Sequence, residues 1–210
     1  MIFSIAEENK WVKGCTISRP IYDNKDFGIN FFSMAEETDI SKESYAYHKI
    51  ILNACGELVI YCDKEWILHE GDCFITAVNI PVGMKTQTGS IYTEIRLKEG
   101  IIMNQVLKDG EVFRLAELIP YQDGRIVNMD LINDPKMKFV VMAFDKGTGL
   151  SEHSAPGEAL IFALDGEGII GYEGKEYFIK AGENFKFAKN GKHFVRANDK
   201  FKMALLMVLE

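Results

Sequence analysis

Two of the four histidines in the chain stand beside apolar runs. His153 precedes the stretch "ALIFAL" (159–164), and His193 opens "HFVRA" (193–197). A neutral imidazole ligates divalent metals, and a free one titrates near neutrality. Two rings brought together could hold a metal, pass a proton or hydrogen-bond a polar ligand. With only two protein donors, several coordination positions fall to water or substrate, and any such ion is weakly held. Other residues offer less. Glu152 reads as a solvated loop residue, Asp165-Gly166 as a turn, and Arg96 and Arg196 as single surface cations. No nucleophile motif is present. Cys15, Cys55, Cys62 and Cys73 form no CxxC pair and no zinc-finger spacing, so they read as buried free thiols rather than a disulfide framework.

The elements that must carry these histidines are short strands. "KFVVMAF" (138–144), "ALIFAL" (159–164), "GIIGY" (168–172), "KEYFIK" (175–180), "NFKFA" (184–188), "HFVRA" (193–197) and "FKMALLMVL" (201–209) are rich in β-branched and aromatic residues. Turn residues separate them, among them Asp145-Lys146-Gly147, Glu173-Gly174 and Ala181-Gly182. "KEYFIK" alternates on period two and belongs near an edge, whereas "ALIFAL" is apolar on both faces and belongs inside. Helical periodicity is confined to short pieces such as "FRLAELI" (113–119), and "GIIMNQVLKDG" (100–110) is predicted to form a short linking helix. The fold class predicted is all-β, a sandwich or barrel with a few short helices.

The chain also resembles itself. At an offset of 110, Phe3 meets Phe113, Ala6 meets Ala116, Glu7 meets Glu117, Gly14 meets Gly124, and Gly56-Glu57 meets Gly166-Glu167. Beyond Gly174 the offset becomes 111, so that Gly71 falls on Gly182, Ala77 on Ala188 and Asn79 on Asn190. A long internal period means one fold made twice. The predicted domains are 1–104 and 105–210.

Composition narrows the function classes. A net charge of −7 and a pI near 5.2 argue against a nucleic-acid surface, which needs clustered Lys and Arg. There is no apolar run of membrane-spanning length and no basic region followed by an apolar core at the N-terminus. The expectation is a cytoplasmic protein with no membrane partner.

On these strands, repeats and motifs the sequence resembles the cupin family, small jelly-roll β-barrels, in a two-domain bicupin form. The family's first motif runs Gly, five residues, His-x-His, three or four residues, Glu, six residues, Gly. Here Gly147, His153, Ala155 and Gly166 fall into place, with Ala159 at the glutamate position. Its second motif is matched by Gly182 and His193, with Ala188, Asn190 and Ala197 replacing its proline, glycine and asparagine. The resemblance implies two tandem cupin jelly-roll barrels of the double-stranded β-helix type. It also implies four ligand positions in the C-terminal barrel, occupied by His153, Ala155, Ala159 and His193. Glu158, one residue out of step, would face the other way. In the N-terminal barrel the same positions are Glu43, Tyr45, Lys49 and Val82, with His48 at the position of Glu158. That set cannot make a nitrogen-rich metal site, and the barrel reads as structural or as binding something without metal.

The resemblance further implies that His153 and His193 reach the mouth of one barrel. There they would serve a small-molecule ligand or a weakly held divalent ion (Fe, Ni, Mn or Zn). Alanines at two inward positions predict a larger apolar cavity lined by Ala155, Ala159 and Ile161 and faced by Phe185 or Phe187, unless large side chains fill the space. The function expected is small-molecule binding in the C-terminal barrel. The competing class is a metal-dependent isomerase, decarboxylase or dioxygenase acting on a small organic acid or sugar. Cupins commonly pair through their sheets, so a homodimer is the expected form of self-association.

Overall fold

The structure, a computed structural model, describes residues 2–98 and 100–209. In chain order its strands are β1 (Ile2–Phe3), β2 (Thr16–Asp23), β3 (Phe27–Met34), β4 (Thr38–Glu43), β5 (His48–Gly56), β6 (Leu58–Tyr61), β7 (Glu65–Leu68), β8 (Cys73–Ile75), β9 (Val82–Thr86), β10 (Ser90–Leu97) and β11 (Val112–Phe113). There follow β12 (Ile126–Asn133), β13 (Met137–Phe144), β14 (Gly149–Ser154), β15 (Glu158–Tyr172), β16 (Lys175–Lys180), β17 (Asn184–Phe187), β18 (Lys192–Arg196) and β19 (Phe201–Val208). One helical turn, Ile5–Glu8, and a 3-10 turn, Leu115–Glu117, complete the regular elements. The fold is all-β, as the strand pattern predicts. Among the described residues no helix is long and apolar enough to cross a membrane.

The chain divides into two compact units. One gathers Ile5–Ile101 with Leu107–Arg114. The other gathers the start of the chain through Ser4, Ile102–Val106 and everything from Leu115 onward. The first unit has one sheet ordered β11-β8-β5-β10-β3-β2 and another ordered β4-β9-β6-β7. The second has the order β1-β17-β15-β19-β13-β12, together with β14-β18-β15-β16. The two orders coincide if the long β15 stands for both β5 and β6. Register agrees as well. Val112 and Phe113 face Phe74 and Cys73, while Ile2 and Phe3 face Phe185 and Asn184, so the repeat recurs in the pairing.

Three local expectations change. Asp165-Gly166 is not a turn between two strands but a bulge inside β15, which stays paired with β19 through Gly166. Gly166 has φ +67° and passes so close to Lys200 that a Cβ would lie 2.0 Å from its carbonyl oxygen. Gly56 does the same work in the first unit, with φ +73° and Gly89 as its close neighbour. The linking helix expected at 100–110 is absent: that segment is turns plus one bridge from Met103 to Ile132. The four thiols are free, but only Cys73 is buried, and Cys15 is exposed.

Each unit has an apolar interior. In the second, Phe144, Ile161, Phe185, Phe187, Val195, Phe201 and Met203 form one buried cluster. "ALIFAL" places Ala159, Ile161 and Ala163 in it and buries Leu160 and Phe162 on its other face, and among the described residues β16 is an edge strand paired to β15 alone. In the first, Met34, Ile51, Leu58, Phe74, Met84 and Tyr92 form the corresponding cluster.

Candidate functional site

In the second unit, β14 and β18 pair so that His153 lies directly opposite His193. Their ring centroids are 4.3 Å apart, and His193 stacks on Phe187 at 4.1 Å. His193 is buried and His153 is exposed. The Nδ1 of His153 lies 2.8 Å from the Ser151 carbonyl and that of His193 2.9 Å from the Gly191 carbonyl. A carbonyl only accepts, so both Nδ1 atoms carry the proton and both Nε2 atoms keep a free lone pair. Neither Nε2 meets a hydrogen-bond partner among the described residues. Burial holds His193 below its ordinary pKa; the Gly191 carbonyl opposes the shift and the neighbouring His153 adds to it.

The remaining residues of this expected site lie beneath the pair. Ala155, Ala159, Ile161 and Phe187 belong to the packed core. Ala159 pairs with Phe187 and Ile161 with Phe185, and Tyr172 closes on both phenylalanine rings. The volume freed by the two alanines is occupied by these aromatic side chains. A cavity of about 270 Å³ in this unit lies instead against Glu167, Phe178 and Lys180. Glu158 points away and pairs with Lys186 at 2.8 Å.

The first unit is built differently. Its interior holds a cavity of about 250 Å³ bordered by β3, β4, β5, β9 and β10. Three neighbouring strands supply its polar floor. Strand β10 runs between β3 and β5, with Glu94 opposite Asn30 on one side and Arg96 opposite Lys49 on the other. The Lys49 ammonium is 3.1 Å from Glu94, whose second oxygen is 3.7 Å from Arg96 Nε. Lys49 is 9% exposed and Glu94 3%. The Arg96 guanidinium lies across Gly28, where a Cβ would come within 2.5 Å of it, and reaches Asp23 at 3.2 Å. At the rim, Tyr45 donates to Glu43, and Lys49 sits 3.6 Å from the centre of the Tyr45 ring. Burial, and then the Glu43 carboxylate, raise the Tyr45 hydroxyl well above its ordinary pKa.

Several polar atoms around this cavity are buried and make no hydrogen bond among the described residues: Asn30 Oδ1, the Tyr92 hydroxyl and Arg96 Nε. Buried polar groups are normally satisfied, and leaving one unpaired costs about 1–3 kcal/mol. A buried ion pair adds little net stability over a well-packed apolar filling. An interior of this kind is poor as a core.

Arg96 is therefore not the surface cation that its sequence context suggests, whereas Arg196 is exposed and pairs with Glu176. Asn30, Tyr92, Glu94 and Arg96 carry no motif. Their one signal is the alternation Tyr92-x-Glu94-x-Arg96 in "SIYTEIRL", which reads as a solvent face; Ile91, Ile95 and Leu97 on the opposite face are buried as well.

Residues 140–209 match the family model described as a cupin domain. The Cupin 2 conserved barrel domain protein from Leptotrichia buccalis is similar over 99% of this chain and 96% of that one, with a TM-score of 0.85 and 27% identity. The chain has a cupin fold. Two more distant structures show a likeness of fold alone. Salicylate 1,2-dioxygenase from Pseudaminobacter salicylatoxidans has a TM-score of 0.62 at 9% identity, over 91% of this chain and 76% of that one. Protein Ylba from E. coli has a TM-score of 0.61 at 10% identity, over 99% and 89%. No curated protein matches the sequence.

Many cupins carry a metal, and the donors present here do not suit one. Two of the four positions that the resemblance implies as ligands in the second unit are alanine, and among the described residues no group of three or more His, Cys, Asp or Glu could hold an ion. In the first barrel a lysine ammonium occupies the ligand set, which repels a cation.

Proposed function

We propose that the protein is a bicupin that binds a small organic molecule without a resident metal, in the cavity of its N-terminal barrel. One observation carries this reading: the buried Lys49–Glu94 pair and the partly exposed Arg96 lie beside polar atoms that no hydrogen bond among the described residues satisfies. A small-molecule site is a concavity with apolar walls and a few convergent polar groups. Phe32, Ile40 and Met84 supply the walls here.

A second reading is favoured by the two free Nε2 atoms at the mouth of the C-terminal barrel. They would accept hydrogen bonds from a polar ligand or share a loosely held divalent ion with it. A metal-dependent enzyme has less support, since its chemistry needs a donor set that neither barrel supplies.

One experiment separates the readings. Small acids, amines, amides and sugars are screened by thermal shift against the protein and two variants, Ser41→Trp and His193→Gln. Ser41 is exposed at the cavity rim, and an indole there blocks entry without disturbing the interior. Stabilisation that vanishes in Ser41→Trp and persists in His193→Gln is the expected result. The opposite pattern moves the site to the imidazole pair and overturns the first reading.

A further inference from the structure

We infer that the N-terminal cavity is selective for a small monocarboxylate with an apolar or aromatic body, an inference that rests on the N-terminal site proposed above. The cavity contains its own description of a guest. Three ionisable groups meet at its floor: two cations, Lys49 and Arg96, and one carboxylate, Glu94, between them. This trio, with Lys49 and Glu94 buried and Arg96 partly exposed, carries one net positive charge. Asp23 offsets Arg96 only from outside, through Nη2, and shares itself with Lys98 at 2.8 Å. Glu43 stands exposed at the rim, where solvent screens its charge, and accepts from the Tyr45 hydroxyl. An anion of single charge completes the balance where solvent screening is weakest.

The unpartnered atoms point the same way. Arg96 Nε, 3.7 Å from Glu94, and the fully buried Tyr92 hydroxyl make no hydrogen bond among the described residues. Lys49 has a single carboxylate for its three protons. A carboxylate is the acceptor that serves all three at once, and charge-assisted hydrogen bonds are the strong ones. Asn30 Oδ1 lacks a donor, which a hydroxyl on the guest would provide.

The walls define the rest of the molecule. Phe32 and Tyr92 lie stacked at 4.9 Å and 2°, and Tyr45 and Tyr47 meet at 5.3 Å near the rim. A volume of about 250 Å³ falls just under the range of about 300–1,000 Å³ of ordinary ligand sites. One ring with a short acidic head fills it.

The test uses the full-length protein and three probes of equal shape: benzoate, benzamide and benzylamine. Calorimetry is expected to show benzoate binding at least about tenfold more tightly than either of the others. Tyr92→Phe removes only a hydroxyl that lacks a partner, so the variant is expected to melt no lower than the parent while its benzoate affinity falls about tenfold. Lys49→Met is expected to abolish the preference for benzoate over benzamide. Should Lys49→Met fail to fold, the probe ratio on the parent protein and Tyr92→Phe decide the matter alone. Equal or tighter binding of benzamide or benzylamine overturns the carboxylate while leaving a ligand site in the cavity. Binding of none of the three, or benzoate binding indifferent to Tyr92→Phe, overturns the carboxylate site, and a Ser41→Trp screen without effect removes the cavity reading itself.

Discussion

His193 shows how one side chain's surroundings set its chemistry. Buried on Phe187 and facing His153, it is held neutral. Its folded pKa lies below the ordinary 6.5, so in acid the unfolded chain binds more protons than the native one. The native state is therefore fully favoured above that value and loses stability as the pH falls through it. Urea midpoints at pH 7.5 and 5.5 are expected to differ, with the lower midpoint in acid, and the difference is expected to shrink in His193→Gln. An equal difference in both proteins would show that other groups carry the pH response. At the same scale, the candidate site was only partly legible. Glu43, Tyr45 and Lys49 could be placed from the motif, because the repeat aligns them with ligand positions. Asn30, Glu94 and Arg96 could not, because only the pairing of β10 with both β3 and β5 brings them together, and long-range pairing leaves no local trace. Of the two alternatives for the second unit, an apolar cavity or a filled interior, the packing of Ala155 and Ala159 with Phe185 and Phe187 in one buried cluster favours the second.

At the scale of elements, β15 is the instructive case. Its two apolar runs read as separate strands because Asp165-Gly166 carries turn chemistry. The structure uses the glycine instead to bend one continuous strand, which pairs with β19 and β17 at one end and β16 and β18 at the other. Gly166→Ala is expected to cost about 3 kcal/mol, since the methyl would meet the Lys200 carbonyl and the left-handed backbone adds strain. Gly174→Ala has φ +75° but open space around it, and should cost about 1 kcal/mol. Chemical denaturation of the two variants checks the contrast; similar losses would mean that close approach at the bulge is not what selects glycine there. Edge and interior were readable here, as "KEYFIK" and "ALIFAL" show, because alternation and its absence are local signals.

At the scale of the whole molecule, the repeat was visible down to the single-residue change of offset, yet the composition of the units was not. Each unit takes its outermost short strand from the other half of the sequence: β11 joins β8, and β1 joins β17. Two-residue strands have no periodicity to read. Removing residues 1–4 is expected to destabilise the second unit by about 1 kcal/mol, through the partly buried Ile2. Amide exchange in β17 should rise while that in β8 stays unchanged, and unaltered exchange in β17 would show that β1 contributes nothing. The same arrangement orders events during synthesis. Ile2 and Phe3 belong beside Phe185 and Asn184, so β1 must stay unpaired until the distant β17 has been made.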